Sequence, residues 1–180
     1  MKRLMRTIMV TVCTLTLAAC GGGGGGGGGG VGPSPTVTFT GTTPAANEIY
    51  LVRNAVRSSG SVLAIDVKAN EVSGAVFGTA FDLDFSNPSG MTYIGHEAGS
   101  FLDESAGSVI YNSSDMGGGK IVVGASSPAG ATGATGSGTI ITLKFGVTDA
   151  SVLSFSNNEL RDSANHAISV TWQGGDVTVL

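Results

Sequence analysis

Few side chains in this 180-residue sequence have the type and spacing that catalysis needs. The histidines are His96 and His166. His96 precedes Glu97 but does not begin the His-Glu-x-x-His pattern of zinc proteases, and His166 lies in a predicted turn. The Gly-x-Ser-x-Gly motif, which presents a nucleophilic serine at a strand-to-helix turn, is absent. We therefore predict no catalytic residue and no enzyme activity.

Three acidic residues, Glu97, Asp103 and Glu104, flank Phe101 in the sequence. A glycosidase needs two carboxyl groups about 5–5.5 Å or about 6.5–9.5 Å apart across a cleft, which a small β-domain rarely supplies. Loop acids can also hold calcium, but no calcium-loop motif supports such a site here. We therefore predict no cofactor, and structural calcium stays without support.

Cys20 is the residue whose setting predicts a covalent modification. A short basic start precedes a 13-residue stretch of apolar residues and threonines, residues 7–19, which ends in Leu-Ala-Ala before Cys20. The stretch is shorter than the roughly 20 residues that cross a bilayer, and it is typical of a secretory signal. The junction resembles the lipobox of bacterial lipoproteins, which implies that residues 1–19 are removed and that Cys20 receives lipid. An ordinary signal would instead leave Cys20 as a free thiol.

The lipobox resemblance also implies a location. Membrane attachment would run through the N-terminal lipid, because more than one acyl chain is needed for stable anchoring and the lipoprotein pathway supplies two or three. Gly21, in place of an aspartate, favours onward transport to the outer membrane in two-membrane bacteria. We expect a protein of the bacterial cell envelope whose folded domain lies in the periplasm or at the cell surface.

Residues 20–47 are predicted to form a flexible linker. Residues 21–30 are ten consecutive glycines, and a stretch rich in proline and threonine follows. Glycine loses the most backbone entropy on ordering, so such a run does not favour regular structure. A flexible chain of this length spans about 30 Å on average. The sequence thus predicts a domain, residues 48–180, held on a tether.

Net charge excludes one class of partner. The chain has a formal charge of −4, and the first 20 residues contain three of its nine basic residues and no acid. The remainder therefore has six basic and 13 acidic residues, a net charge of −7. Nucleic-acid binding needs a basic stripe that attracts phosphates, so we predict no nucleic-acid partner.

The predicted domain consists of strands throughout. No helical periodicity extends beyond two turns, whereas period-2 runs recur between glycine, asparagine, aspartate, serine and proline. Ten short strands at such spacing indicate an antiparallel sandwich or barrel. They cover residues 49–54, 62–69, 75–85, 91–96, 109–112, 121–125, 139–147, 152–155, 168–172 and 176–179.

The clearest strand lies in residues 77–85. Phe81, Leu83 and Phe85 alternate with Asp82 and Asp84, so the aromatic and aliphatic side chains point one way and the acids the other. Residues 141–147 alternate in the same manner. These two strands are predicted to supply much of the core.

Seven short stretches of the sequence are not specific individually, but their order and spacing together indicate a fold family. They are residues 62–67, 81–88, 100–102, 119–123, 136–145, 153–162 and 174–179. Together they resemble the cohesin domain over almost all of residues 48–180. The resemblance implies an all-β fold, an antiparallel jelly-roll β-sandwich of about nine strands like that of carbohydrate-binding modules.

By this resemblance the chain would be a non-catalytic surface module that docks a dockerin, a small calcium-loaded module of another protein, with a link to polysaccharide breakdown. In the best-known cohesin class the docking face includes the outward residues of the phenylalanine-rich strand. Here these are Gly78, Ala80, Asp82 and Asp84. The first two are polar in that class, whereas Gly78 and Ala80 have no hydrogen-bonding side chain. Asp82 and Asp84 also fit a solvated face that keeps the sheet soluble.

Two other functions stay open. A carbohydrate-binding module would hold polysaccharide at the envelope by stacking sugar rings on exposed aromatic side chains, for which Tyr93, Tyr111 and Trp172 are the candidates. The tyrosines form a strip only if their strands are neighbours, and Trp172 shares its predicted face with Ile168 and Val170, which favours core packing. A structural surface domain without a single ligand is the third interpretation.

Overall fold

A computed structural model describes residues 36–102 and 104–180, and these residues form strands and loops without a helix. The twelve strands are β1 (Val37–Gly41), β2 (Glu48–Arg53), β3 (Val62–Val76), β4 (Gly78–Phe85), β5 (Met91–Ala98), β6 (Ile110–Gly117), β7 (Lys120–Ser126), β8 (Ala134–Val147), β9 (Ser151–Arg161), β10 (Ala167–Ile168), β11 (Thr171–Gln173) and β12 (Gly175–Val179). Accordingly, no helix long and apolar enough to cross a membrane occurs in this part of the chain.

The strands form two sheets that pack as a sandwich. The seven-stranded sheet has the order β1-β12-β9-β4-β7-β6, with β10 paired to β9. The five-stranded sheet has the order β11-β2-β3-β8-β5. The described pairs are antiparallel except that β11 pairs with β2 in parallel. The predicted all-β sandwich is therefore confirmed, with one parallel pair that the sequence did not predict.

The core lies between the sheets and comes from the alternation within each strand. Phe81 and Leu83 of β4, and Leu143 and Phe145 of β8, are almost completely buried. The intervening residues of these strands point away from the core. The prediction that these two strands supply much of the core is confirmed.

Three predicted strand boundaries were wrong. One strand was assigned to the linker, and two predicted strands are each divided between the two sheets. Residues 37–41, assigned to the linker, form β1, because Val37 is buried and pairs with Val179 of β12. The single strand predicted for 75–85 is two strands, and the chain changes sheets at Phe77. Likewise the strand predicted for 168–172 is divided between β10 and β11, which lie in different sheets. Alternation continues through such crossings, so the sequence pattern does not reveal them.

The start and the C-terminus of the folded region lie at one end of the sandwich, and Gly78 lies at the other. Thr36 and Leu180 exchange backbone hydrogen bonds of 3.0 Å, so the start of the folded region and the C-terminus lie together. β4 runs from Gly78, which pairs with Arg161 of β9, to Phe85, which pairs with Leu153. Because Leu153 in turn pairs with β12, the Phe85 end of β4 is the one nearer to Thr36. Gly78 lies at the far end.

Candidate functional site

The outward residues of β4 are the four that the alternation predicted. Their neighbours Thr79, Phe81 and Leu83 are buried toward the core, so the remaining side chains lie on the outer face of the seven-stranded sheet. These outward residues are Gly78, Ala80, Asp82 and Asp84. β9 borders them on one side and β7 on the other.

Asp82 and Asp84 belong to a closed network rather than to a solvated acid pair. Lys120 Nζ of β7 lies 2.8 Å from Asp82 Oδ2 and 2.7 Å from Asp84 Oδ1. Asn157 Nδ2 donates to Asp82 Oδ2 at 2.7 Å, and the Ser156 hydroxyl donates to Asp84. We call these five residues the ion network. The sequence did not reveal Lys120 as a partner of these acids, and Lys120 lies just before the predicted strand 121–125.

The network keeps both carboxyl groups ionised. Hydrogen bonds from Lys120 and Asn157 lower the pKa of Asp82 below its ordinary value, against the opposing effect of burial. Burial raises the pKa of Asp84, but the hydrogen bonds from Lys120 and Ser156 outweigh it, so that pKa is also lowered. Both acids raise the pKa of Lys120. These groups stay charged near neutral pH, so they are not suited to exchange protons with a ligand there.

A groove lies over the other half of β4. Its volume is about 310 Å³, and its floor includes Gly78 and Ala80. Arg161 and Glu159 of β9 pair with these two residues and form one wall. Arg161 Nε and Nη2 donate to the two Glu159 carboxylate oxygens at 2.8 and 2.6 Å, and Nη1 donates to the Asn165 carbonyl at 2.9 Å. The wall is thus fixed by its own hydrogen bonds.

A β-bulge separates the groove from the ion network. The register between β4 and β9 shifts between Ala80 and Asp82, so β9 has an additional residue opposite Phe81. Asn157 in this bulge has a φ of 46°, in the left-handed region that asparagine tolerates better than most residues. The bulge also brings the Asn157 amide to Asp82.

Apolar side chains are exposed on the same outer face. Val122 pairs with Asp82 across β7 and β4, and 38% of its surface is exposed. Ile110 pairs with Ser126 at the β6 edge, and 69% of its surface is exposed. Val152 of β9 is 51% exposed. The face therefore combines apolar side chains with charged groups that are paired within the domain.

The three aromatic candidates for sugar binding do not form one strip, because Trp172 lies apart from the two tyrosines. Tyr93 and Trp172 lie on β5 and β11, the two opposite edges of the five-stranded sheet, and Tyr111 lies on β6 of the other sheet. Trp172 packs against the core, with ring centroids 5.5 Å from Phe81 and 5.0 Å from Phe155. The core packing favoured for Trp172 is confirmed.

The tyrosine hydroxyls are engaged within the domain. Tyr93 Oη lies 2.6 Å from Ser113 Oγ, and Tyr111 Oη donates to the Gly99 carbonyl at 3.1 Å. Burial raises the pKa of both tyrosines. Both rings pack partly against the core, so neither is a flat exposed platform.

The two histidines have different partners. His96 Nδ1 lies 2.5 Å from Ser113 Oγ, and His166 Nδ1 lies 3.2 Å from Asp162 Oδ2. Glu97 is paired with Arg57 and Lys144.

Within residues 36–102 and 104–180, no group of three histidine, cysteine or acidic side chains is arranged to hold a metal ion. Asp103 and the predicted lipid attachment residue Cys20 lie outside the described residues.

Comparison with known proteins identifies the family. The family model described as the cohesin domain matches residues 50–179, which is most of the chain. The chain belongs to the cohesin family. None of the curated proteins matches this cohesin.

Solved structures agree with the family in fold. A non-cellulosomal cohesin from the archaeon Archaeoglobus fulgidus is 19% identical, with a TM-score of 0.53 over 77% of this chain and 88% of that one. The sixth cohesin of scaffoldin B from Acetivibrio cellulolyticus, solved with a dockerin, is 18% identical, with a TM-score of 0.53 over 65% and 87%. A type I cohesin–dockerin complex from Clostridium thermocellum is 16% identical, also with a TM-score of 0.53, over 65% and 83%. At these identities the likeness shows the cohesin fold.

Proposed function

We propose that this cohesin docks a dockerin-type module of another protein on the outer face of its seven-stranded sheet. The cohesin family is a family of non-catalytic protein-interaction modules, and two of the similar structures hold a cohesin together with a dockerin. Gly78, Ala80, Asp82 and Asp84 lie on the proposed surface.

The observation that carries the choice of face is a difference between the two sheets. On the outer side of the five-stranded sheet, Ala64 and Thr142 are completely buried. The segment 54–61 covers Ala64, whose backbone N–H donates to the Ser58 hydroxyl at 3.0 Å. An ion pair of 2.5 Å between Arg57 and Glu97 holds the same segment to β5. The seven-stranded sheet exposes Val122 on β7, inside the sheet, whereas the exposed apolar side chain of the five-stranded sheet, Ile94, lies on its edge strand β5.

A binding measurement with matched variants tests this assignment. The full chain with Cys20→Ser would be titrated calorimetrically with calcium-loaded dockerin modules encoded in the same genome. Val122→Arg places a long charged side chain on the proposed face and should weaken binding at least 100-fold. Val56→Arg is the matched control, because Val56 is 96% exposed in the segment over the other sheet. Equal affinity of the two variants, or no dockerin bound by the parent chain, contradicts the proposal.

We also propose that the domain is anchored to the outer membrane through lipid on Cys20, with the domain in the periplasm or at the cell surface. The signal-like residues 1–19 and the Leu-Ala-Ala-Cys20 junction support this. β1 begins at the end of the sandwich opposite Gly78.

Detergent partitioning tests the anchor. The parent protein expressed in a two-membrane bacterium should enter the detergent phase, and the Cys20→Ser variant should stay in the aqueous phase. A Cys13→Ser variant is the control, since Cys13 lies within the predicted signal. Detergent partitioning of Cys20→Ser equal to that of the parent refutes lipidation at Cys20.

The alternative of polysaccharide binding gains no support from the geometry. Tyr93, Tyr111 and Trp172 lie on three separate edge strands and pack partly against the core. A strip of coplanar exposed rings is the arrangement that would favour it.

A further inference from the structure

The groove has a floor that no long side chain fills. Gly78 pairs with Ser126 of β7 on one side, and Ala80 contributes only a methyl group. A Cβ atom added at Gly78 would lie 3.2 Å from the Ala125 carbonyl oxygen, so the floor consists of closely approached backbone. The volume of about 310 Å³ is at the lower end of the range for ligand pockets, about 300–1,000 Å³. A single large side chain is a suitable occupant for such a space.

The wall of the groove presents a fixed guanidinium group. Three hydrogen bonds in the plane of Arg161 hold it, two to Glu159 and one to the Asn165 carbonyl. A guanidinium whose edge is occupied in this way retains its flat faces, which stack on aromatic rings. The positive guanidinium and the negative face of an aromatic ring are electrostatically complementary.

The acids beside the groove are already occupied. Both Glu159 carboxylate oxygens accept hydrogen bonds from Arg161. Asp162 Oδ1 accepts from the backbone N–H groups of Ala164 and His166, and Asp162 Oδ2 faces His166 Nδ1. The carboxylate oxygens of Glu159 and Asp162 therefore already have hydrogen-bond partners within the domain.

We propose that the groove receives one aromatic side chain of the docking partner, seated on Gly78 and Ala80 and stacked against Arg161. This inference rests on the proposed docking function and adds the chemistry of the partner. It also gives Gly78 and Ala80 a role, because the absence of side chains at these positions creates the space. A partner would recognise the groove by its shape and by ring stacking, rather than by hydrogen bonds to β4 side chains.

A titration with small probes tests the groove without a dockerin. The ¹⁵N-labelled full chain with Cys20→Ser would be titrated with N-acetyl-tryptophanamide, N-acetyl-leucinamide and N-acetyl-lysinamide. The tryptophan probe should cause saturable shifts at the amides of Gly78 and Ala80 and at Arg161 Nε–H, with a millimolar dissociation constant. The leucine and lysine probes should bind at least fivefold more weakly.

Two substitutions sharpen the result. Ala80→Leu fills the floor and should weaken binding of the tryptophan probe at least tenfold, whereas Ala55→Leu, at an exposed alanine in the turn after β2, should not change it. Arg161→Lys keeps the charge but loses the planar group, so it should remove the preference for tryptophan over leucine. No saturable shift at the groove, or equal affinity for the leucine probe, overturns the inference.

The outcomes separate the inference from the proposed function. If dockerin binds and Val122→Arg abolishes binding, but the tryptophan probe leaves the groove unchanged, the aromatic site is wrong and docking on this face stands. If the probe binds at the groove but no dockerin binds the chain, the proposed function is wrong and the aromatic site stands.

Discussion

The outward side of β4 has two halves that differ in what occupies them. From Asp82 to Asp84, Lys120 and two neighbouring side chains of β9 close the surface with ion pairs and hydrogen bonds. From Gly78 to Ala80, the surface is an open groove beside a wall that is bonded to itself. The two halves belong to one strand and share one period-2 alternation.

The difference comes from the neighbouring strands. β7 supplies Lys120 opposite Asp84 but only Ser126 opposite Gly78. On the other side, the bulge in β9 brings Asn157 to Asp82, while the Arg161 side chain bonds to Glu159 and to the Asn165 carbonyl. One half therefore ties three strands together, and the other leaves space for a partner. Stability and recognition are predicted to separate between the two halves.

The largest expected effect is on the core that both halves share. Phe81 is 1% exposed beneath the boundary between the halves, and its ring contacts Phe155 and Trp172. Phe81→Ala should lower the free energy of unfolding by about 3–5 kcal/mol, because it removes buried apolar surface and leaves a cavity. Urea unfolding of this variant and of an exposed control, Val152→Ala, measures the effect. A loss below about 1 kcal/mol would show that β4 is not the central support of the sandwich.

The next effect should distinguish the two halves directly. Lys120→Met leaves Asp82, which is 8% exposed, without its cation, so Tm should fall by a few degrees. Binding of N-acetyl-tryptophanamide at the groove should stay unchanged. Lys68→Met, on a strand of the five-stranded sheet, is the control for loss of a lysine. An equal fall in Tm for both variants would remove the special role of the ion network.

The ion network should also give the stability a characteristic pH dependence. The pKa values of Asp82 and Asp84 are lowered in the folded state from the ordinary value of 3.8. A lowered folded-state pKa gives stability that is fully present above the ordinary value and is lost as pH falls through the folded value. The difference in the free energy of unfolding between the parent and Lys120→Met should be constant above about pH 5 and shrink below pH 3.8. A difference that stays constant to pH 2 would contradict coupling through these carboxyl groups.

The sequence predicted the direction of each β4 side chain because alternation is a property of one strand. Gly78, Ala80, Asp82 and Asp84 lie on the outer face as expected. The partners of these residues were not predictable in the same way, because a pattern within one strand contains no information about which strands lie beside it. Lys120 was missed for this reason. The sequence therefore allowed two interpretations of Asp82 and Asp84, as a solvated face or as a contact with a partner.

The sequence did not predict the wall of the groove, because the bulge interrupts the alternation of β9. The sequence predicted a strand over residues 152–155, whereas β9 extends to Arg161. The polar residues Ser156, Asn157 and Asn158 break the alternation, and sequence patterns treat such a break as a turn. The chain instead accommodates the extra residue as a bulge and continues beside β4. The sequence feature compatible with such a bulge is the asparagine at position 157, because asparagine tolerates the left-handed conformation that the bulge requires.

The smallest expected effect concerns this bulge, which is the boundary between the halves. Asn157→Gly retains the left-handed conformation and loses only the partly buried hydrogen bond to Asp82, so it should cost about 1 kcal/mol. Asn157→Ala loses the same hydrogen bond and also places a Cβ atom in the left-handed region, which adds about 1–2 kcal/mol. The alanine variant should therefore be the less stable of the two in urea unfolding. Equal stability would mean that the backbone at residue 157 does not require this conformation. Tryptophan-probe binding should survive in the glycine variant, since the groove wall depends on Arg161 and Glu159 rather than on the ion network.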